Sequence, residues 1–495
     1  MKWITERFEF LFRSTRGLVL VAIALISLVT VMFGMLSGPM DELGVKDVIV
    51  RALGYDLNPA EREGRIIILY HAIAMAVVAI ETYLITALYR IKPEAQVRIN
   101  ATITFGYILS LVFGLWFAYF GHNYVFHGIF IAGQVLIFFA GIQLLVAVWP
   151  WSREARIHDP ELAHTRSGVD LERVALFIMA LTTLLSVLFG AVPGSLFGNG
   201  FESFLAEDII RQPVKSPLER AVVGHLHIML TLIAVALTLI LCRWFGFKGK
   251  LQKWAIPLLM IGTIIIAIGV WMIVPYQPAA HIIINVGSMP VLVASVLLVI
   301  FGWRKITRQR LAELGIARPG FLQKLSALFH DPIKFGALWQ MIYMNFVVTF
   351  LGIFMAVKLD EIIRTWAHRE ERIALTGHWH VLSGIIATII LLYYADLSGL
   401  KGRVRQWFGW VVVLASDLAF GAVAVLETKR LYVTELNQQP LVDVVIILGD
   451  IGLFSVLVLL GVLMFWRLGD LFTRSGRWKK EMRETGLNSD GEVQS

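Results

Sequence analysis

Apolar stretches long enough to cross a bilayer recur along nearly the whole chain, and that recurrence limits the fold more than any motif. A helix needs about 20 predominantly apolar residues to span the hydrocarbon layer. Stretches of that kind run near 17–38, 65–89, 101–121, 125–149, 174–197, 223–245, 254–275, 281–303, 338–357, 376–395, 407–426 and 442–466. Lipid offers no partner to a backbone N–H or C=O, so each stretch must satisfy its own as a helix. The expectation is an all-α integral membrane protein with about twelve transmembrane helices. It reads as a single membrane domain over 1–495, with 467–495 as a basic tail. Charged residues make up 16% of the chain, against about a quarter in soluble domains. The first stretch, Gly17–Met35, has no small-residue cleavage site followed by a soluble domain, so it reads as a span and not as a removable signal.

An even number of spans puts both termini on one side. The segments on that side hold 31 of the 44 Lys and Arg, among them Arg7, Arg13, Arg16, the run Arg304–Arg310 and the tail Arg477–Arg483. The positive-inside rule then makes both termini cytoplasmic in a multi-pass cell-membrane protein. The net charge of +8 therefore reflects topology, and no nucleic-acid partner is expected. The single cysteine, Cys242, excludes a disulfide framework, a Cys-ligated iron–sulfur cluster and covalent haem attachment through CxxCH. Fifteen tryptophans, mostly near span ends, fit an aromatic belt.

The chain also repeats itself. Glu219-Arg220-Ala-Val-Val-Gly-His225-Leu-His227 parallels Glu371-Arg372-Ile-Ala-Leu-Thr-Gly-His378-Trp-His380. Each is followed by an apolar helix and a Gly-x-Lys-Gly connector, and the distance from the first histidine to the tryptophan after it is 29 residues in both. His71 lies 154 residues before His225, and His225 lies 153 before His378. His127 and His281 fall 56 residues after His71 and His225. Three four-helix units, roughly 17–150, 174–303 and 338–466, are expected around a pseudo-threefold axis, with spans 2, 6 and 10 equivalent.

Nine of the twelve histidines fall near the extracytoplasmic ends of spans: His71, His122, His127, His225, His227, His281, His368, His378 and His380. Ionisable side chains inside a bilayer are costly and face protein or a functional group. Singly, His122, His127, His281 and His368 read as interfacial residues bonded to nearby backbone. Three helix-start histidines at one depth on equivalent helices read instead as ligands. No carboxylate lies close to them in sequence, which disfavours a hard cation and leaves haem iron, copper or zinc. In a His-x-His pair the side chains point about 200° apart, so they serve two sites on opposite flanks of one helix.

These residues carry a resemblance. Twelve helices in three arcs, a histidine on helix 2 and His-x-His on helix 10 resemble subunit I of the haem–copper oxidase superfamily, which comprises cytochrome c oxidases, quinol oxidases and nitric-oxide reductases. Gly377-His378-Trp-His380-Val-Leu-Ser383 with Tyr393-Tyr394 looks like the family's AHFHYVLS…YY stretch. His71-Ala-Ile-Ala-Met75 looks like its helix-2 HAxxM pattern, and Gly224-His225 like the GH of helix 6. The resemblance implies that His71 and His380 are axial ligands of a low-spin haem. It implies that His378 is the proximal ligand of a second haem and that His225 matches a distal-metal ligand.

The departures matter as much. The adjacent His-His pair of the family's helix 7 is missing from Ile273-Val-Pro-Tyr276-Gln-Pro-Ala-Ala-His281, and the positions of the cross-linked tyrosine and the helix-6 glutamate are Met229 and His227. A three-histidine copper site is therefore not expected unless His281, His227 or His122 substitutes. A helix-6 histidine, His225 or His227, closing the second haem would leave no open coordination position. The expected function is a two-haem, b-type electron-transfer subunit working with an extracytoplasmic cytochrome, a quinone or other redox subunits. A divergent oxygen or nitric-oxide reductase and a non-redox transporter on the same helix plan are the alternatives.

Among other polar residues, Glu81, Asp417, Asp450 and Asn285 fall within spans and read either as a proton path or as side chains bonded between helices. Arg364, Arg369 and Arg372 read as propionate partners or as partners of Glu370 and Glu371.

Overall fold

The computed structural model describes residues 2–36, 48, 51–52, 67–89, 91–120, 124–157, 165, 167–197, 214–359, 361–433 and 438–473. Among these the chain is helical with no strand. The main helices are α1 (Lys2–Arg13), α2 (Leu18–Leu36), α3 (Ile67–Leu88), α4 (Pro93–Phe120), α5 (Tyr124–Ala147), α6 (Leu171–Phe197), α7 (Pro217–Trp244) and α8 (Lys250–Met272). They continue with α9 (Gln277–Glu313), α10 (Phe321–Phe329), α11 (Pro332–Ile342), a π-helical segment (Tyr343–Val348), α12 (Thr349–Val357), α13 (His368–Leu397), α14 (Gly402–Thr428) and α15 (Gln438–Thr473).

Ten helices among the described residues are long and apolar enough to cross a membrane, and these coincide with the third to twelfth expected stretches. The first stretch falls on α2, which is bent by 46° from the end of α1, and the second on the shorter apolar helix Ile73–Leu88. The bend follows from local chemistry: the Ser14 hydroxyl accepts a hydrogen bond from Arg16 N–H at 3.2 Å, which turns the chain between the two helices.

Helix starts follow the usual signals. Ser216 and Glu219 form a reciprocal capping box, with Ser216 N–H donating to the Glu219 carboxylate (2.7 Å) and Glu219 N–H to the Ser216 hydroxyl (3.2 Å). Pro217 occupies the first helical position, where its missing N–H costs nothing. This box fixes where α7 begins and therefore how deep His225 lies in it.

The chain divides into two compact units, residues 1–240 with 270–280 and 461–495, and residues 241–269 with 281–460. In the first, α4 packs along α5 and against α3 and α1. Asn100 is fully buried there. Its amide donates to Phe12 O at 2.7 Å and its carbonyl accepts from the Thr86 hydroxyl at 3.1 Å, while the Tyr83 and Thr104 hydroxyls meet at 2.9 Å. Each polar group is satisfied by a neighbouring helix, as an apolar medium requires.

In the second unit, α11, α13 and α14 pack together. The Arg405 guanidinium donates to both oxygens of Asp331 (3.0 and 2.8 Å) and pairs with Asp396 at 2.6 Å. Asp396 also accepts from the Trp244 indole at 2.7 Å. One planar cation thus ties the N-cap of α11 to the ends of α13 and α14.

Within these units, pairs of consecutive helices cross at small residues. A Cβ built on Gly106 would lie 2.8 Å from Gly133 O, one on Gly262 2.7 Å from Gly287 O, and one on Gly452 2.5 Å from Ala415 O. Only a glycine lets backbones approach so closely, and such contacts drive helix association where lipid supplies no hydrophobic force.

Arg405→Ala should lower stability by about 2–3 kcal/mol, because two largely buried carboxylates lose their partner. The loss is read as a reduced thermal midpoint in detergent, and Arg405→Lys should restore only part of it, since an ammonium cannot reproduce the fork.

Candidate histidine site

His71 on α3 and His225 on α7 come together in the first unit. Their rings lie 6.4 Å apart, centre to centre, with an interplanar angle of 17°. His225 Nδ1 lies 3.2 Å from Ser186 O on α6. A carbonyl can only accept, so this bond places the proton on Nδ1 and leaves Nε2 as a lone-pair donor. The same outer-shell bond orients metal-ligating histidines. A Cβ built on Gly190 would stand 2.5–2.6 Å from three atoms of the His225 ring. The near-equal distances put Gly190 over the ring face, so α6 makes room for this imidazole only because residue 190 has no side chain.

The second unit repeats part of this pattern. His378 on α13 faces Gly352 on α12, where a built Cβ would lie 3.6 Å from the ring. In both His-x-His pairs the first histidine is half-buried in its own unit and the second, His227 or His380, is exposed. His227 Nδ1 donates to Val223 O one turn back at 2.8 Å.

His378 lines a narrow crevice with Tyr343, Val347, Val348, Leu351, Val381, Ala424 and Glu427. Glu427 is 1% exposed, and neither carboxylate oxygen has a hydrogen-bond partner among the described residues. It packs directly against Gly377, the residue before His378. The nearby cation Lys429 is already paired with Glu370. Glu427 was not picked out by sequence, because the expected span ends at 426 and the run Glu427-Thr-Lys-Arg430 reads as a charged membrane edge. The π segment that forms the crevice wall has no sequence signature either.

The other residues fall as follows. Asp417 is a structural carboxylate: it accepts from the Trp339 indole and the Gln340 amide, both at 2.8 Å, and so joins α14 to α11. Glu81 is buried on α3 and Asp450 is half-buried on α15, while Asn285 and His281 are exposed on α9. Glu370 pairs with Lys429. His127 and His330 are half-buried, and His330 Nδ1 donates to Ala327 O at 2.9 Å. His122, His158 and His164 lie outside the described residues, as do 474–495 of the expected tail. Among the described residues no three His, Cys, Asp or Glu side chains gather as a metal cluster.

No protein-family model matches the chain, and no curated protein matches it.

Asp417→Leu should cost about 2–3 kcal/mol by leaving two buried donors without an acceptor, measured as thermal destabilisation in detergent. Asp417→Asn keeps one acceptor oxygen and should lose less.

Proposed function

We propose that this is a haem-binding electron-transfer protein of the cell membrane, with twelve spans, cytoplasmic termini and two b-type haems. The single observation that carries the reading is the His71–His225 pair. Two metal–nitrogen bonds of about 2.0 Å, each extended by about 1.1 Å to the ring centre, would separate imidazoles on opposite sides of one iron by about 6.2 Å. The observed 6.4 Å is close to that spacing, so His71 and His225 would be the residues to hold one haem iron between them. Two imidazoles sharing a tetrahedral ion would stand nearer, at about 5 Å by the same bond lengths. The donor set of neutral nitrogens in apolar surroundings suits haem iron.

Resemblance alone pairs His71 with His380; the spacing within the first unit favours His225 as the partner of His71. His378, which faces Gly352 at ordinary contact distance, is then the histidine for the second haem. Bound haem supplies a one-electron redox site. The chain orients the His225 imidazole through the Ser186 carbonyl and the space left by Gly190. The small-residue crossings at Gly106, Gly262 and Gly452 support the threefold plan, since the first two are 156 residues apart and Ala415 follows Gly262 by 153. An extracytoplasmic cytochrome or a quinone is the proposed exchange partner.

A reduced-minus-oxidised spectrum of the purified protein should show low-spin b-type haem that does not bind carbon monoxide. His71→Ala and His225→Ala should each remove the same spectral component, with about half the haem lost, and Gly190→Val should mimic them by displacing the His225 ring. Haem content unchanged in both histidine variants would overturn the ligand pair. Carbon monoxide binding would favour the terminal reductase, and absence of haem would leave the transporter.

A further inference from the structure

The connector between α9 and α11, in the second unit, carries a short amphipathic helix that the fold leaves half uncovered. α9 ends in a Schellman turn: Gly315 takes a φ of +68°, its N–H donates to Ala312 O at 3.0 Å, and the Ile316 N–H donates to Leu311 O at 3.0 Å. α10 then opens at Gly320, whose N–H donates to the Gln323 side chain at 2.9 Å. Within α10, Phe321, Leu322, Leu325, Leu328 and Phe329 share one arc of the helix at about 100° per residue, and Gln323, Lys324 and Ser326 fall outside it. The C-terminal end of the apolar arc is covered. Phe329 meets Phe335 of α11 edge-on, with ring centres 4.8 Å apart, and Trp410 of α14 at 6.0 Å. The N-terminal end is not: Phe321 is 77% and Leu322 75% exposed, and Leu325 is exposed beside them. Trp410 belongs to a membrane-length helix, so Phe329 holds one end of α10 against the spanning part of the unit.

The charge around this helix is of one sign. From residue 304 to residue 334 there are seven Lys and Arg against two acids, and both acids are engaged, Glu313 with Arg310 at 3.0 Å and Asp331 with Arg405 at 2.8 Å. Lys305 on α9 donates to Phe245 O at 2.7 Å, and the charges that act on it most strongly are those of Lys334 on α11 and Lys248 in the connector after α7. None of these three lysines, nor Arg318 or Lys324, pairs with a carboxylate among the described residues. Like charges gathered from separate segments repel one another, and an anion brought among them relieves the repulsion.

We infer that α10 lies in the headgroup layer of the adjacent leaflet, with Phe321, Leu322 and Leu325 among the acyl chains and the surrounding cations on the phosphates of anionic phospholipids. A helix with an apolar face and basic flanks binds a bilayer surface through those two terms together. Charge complementarity selects this occupant. A second copy of the chain seated on the same patch would set like charges against each other. The inference needs only that the chain spans a membrane, and it stands whether or not haem is bound.

The test is fluorescence quenching in liposomes that hold equal amounts of phosphatidylglycerol and phosphatidylcholine, with one or the other brominated on its acyl chains. The full-length protein carries bimane on Leu322→Cys; Cys242 is buried and out of reach of the label, so one site is read. Brominated phosphatidylglycerol should quench the label about threefold more strongly than brominated phosphatidylcholine, and aqueous iodide should quench it little. Lys248→Gln, Arg318→Gln, Lys324→Gln and Lys334→Gln combined should abolish the preference and leave quenching by both lipids. Quenching by iodide and by neither lipid would place the face in water, and quenching by none of the three would show it covered by protein. Equal quenching by the two lipids in wild type, or a preference that survives the four substitutions, would remove the anionic headgroup. Each of these results would overturn the inference.

Discussion

Every polar group placed in an apolar medium must find a partner within the protein, and this constraint organises the whole chain. It forces the long apolar stretches into helices, and it favours buried side-chain polar groups that bridge to a neighbouring helix or fold back on their own. Asn100 bridges to α1 and α3, and Asp417 bridges to α11. Thr82, Thr182, Thr238, Thr263 and Thr388 each return their hydroxyl to the carbonyl four residues back. Glu427 departs from this pattern, as does one oxygen of Glu81, since neither Glu427 oxygen has a hydrogen-bond partner among the described residues.

The same constraint explains how the histidines divide. A histidine on a membrane helix can satisfy Nδ1 locally, as His227 does with Val223 O, and then needs nothing else. His225 instead spends its Nδ1 on a different helix, at Ser186 O, and presents its ring to His71. That arrangement fixes tautomer and orientation together, which a purely structural histidine has no need of. The glycine opposite the His225 ring, Gly190, belongs to α6, the helix that precedes α7.

The helices were legible because their signal is local: length and apolarity suffice, and ten of the expected stretches coincide with membrane-length helices. The opposed orientation of the two histidines in each His-x-His pair was legible for the same reason, as it follows from 3.6 residues per turn. Which histidine meets which was not. The partner of His71 depends on how α3, α6 and α7 pack, and that is decided by remote features such as the absence of a side chain at Gly190. The π turn at Tyr343–Val348 was invisible because one extra residue in a turn leaves the apolar pattern unchanged. Glu427 was invisible because a carboxylate at a helix end, followed by Lys429 and Arg430, has the sequence of a solvated boundary.

Asp417 and Glu427 show how the regularity of the facing helix decides whether a buried acid finds donors. Both lie on α14 and both face α11 or its π-helical continuation. Where α11 is regular, it presents Trp339 and Gln340, and Asp417 accepts from both. Along and just beyond the π turn the facing residues are Tyr343, Val347, Val348 and Leu351, so Glu427 meets a largely aliphatic wall. A chain selected only for stability would gain by replacing Glu427 with an apolar residue of similar size, since removing an unpartnered buried acceptor relieves its desolvation cost. Glu427 is instead held against Gly377 and beside His378, so one helix carries an acid with two donors and an acid with none among the described residues.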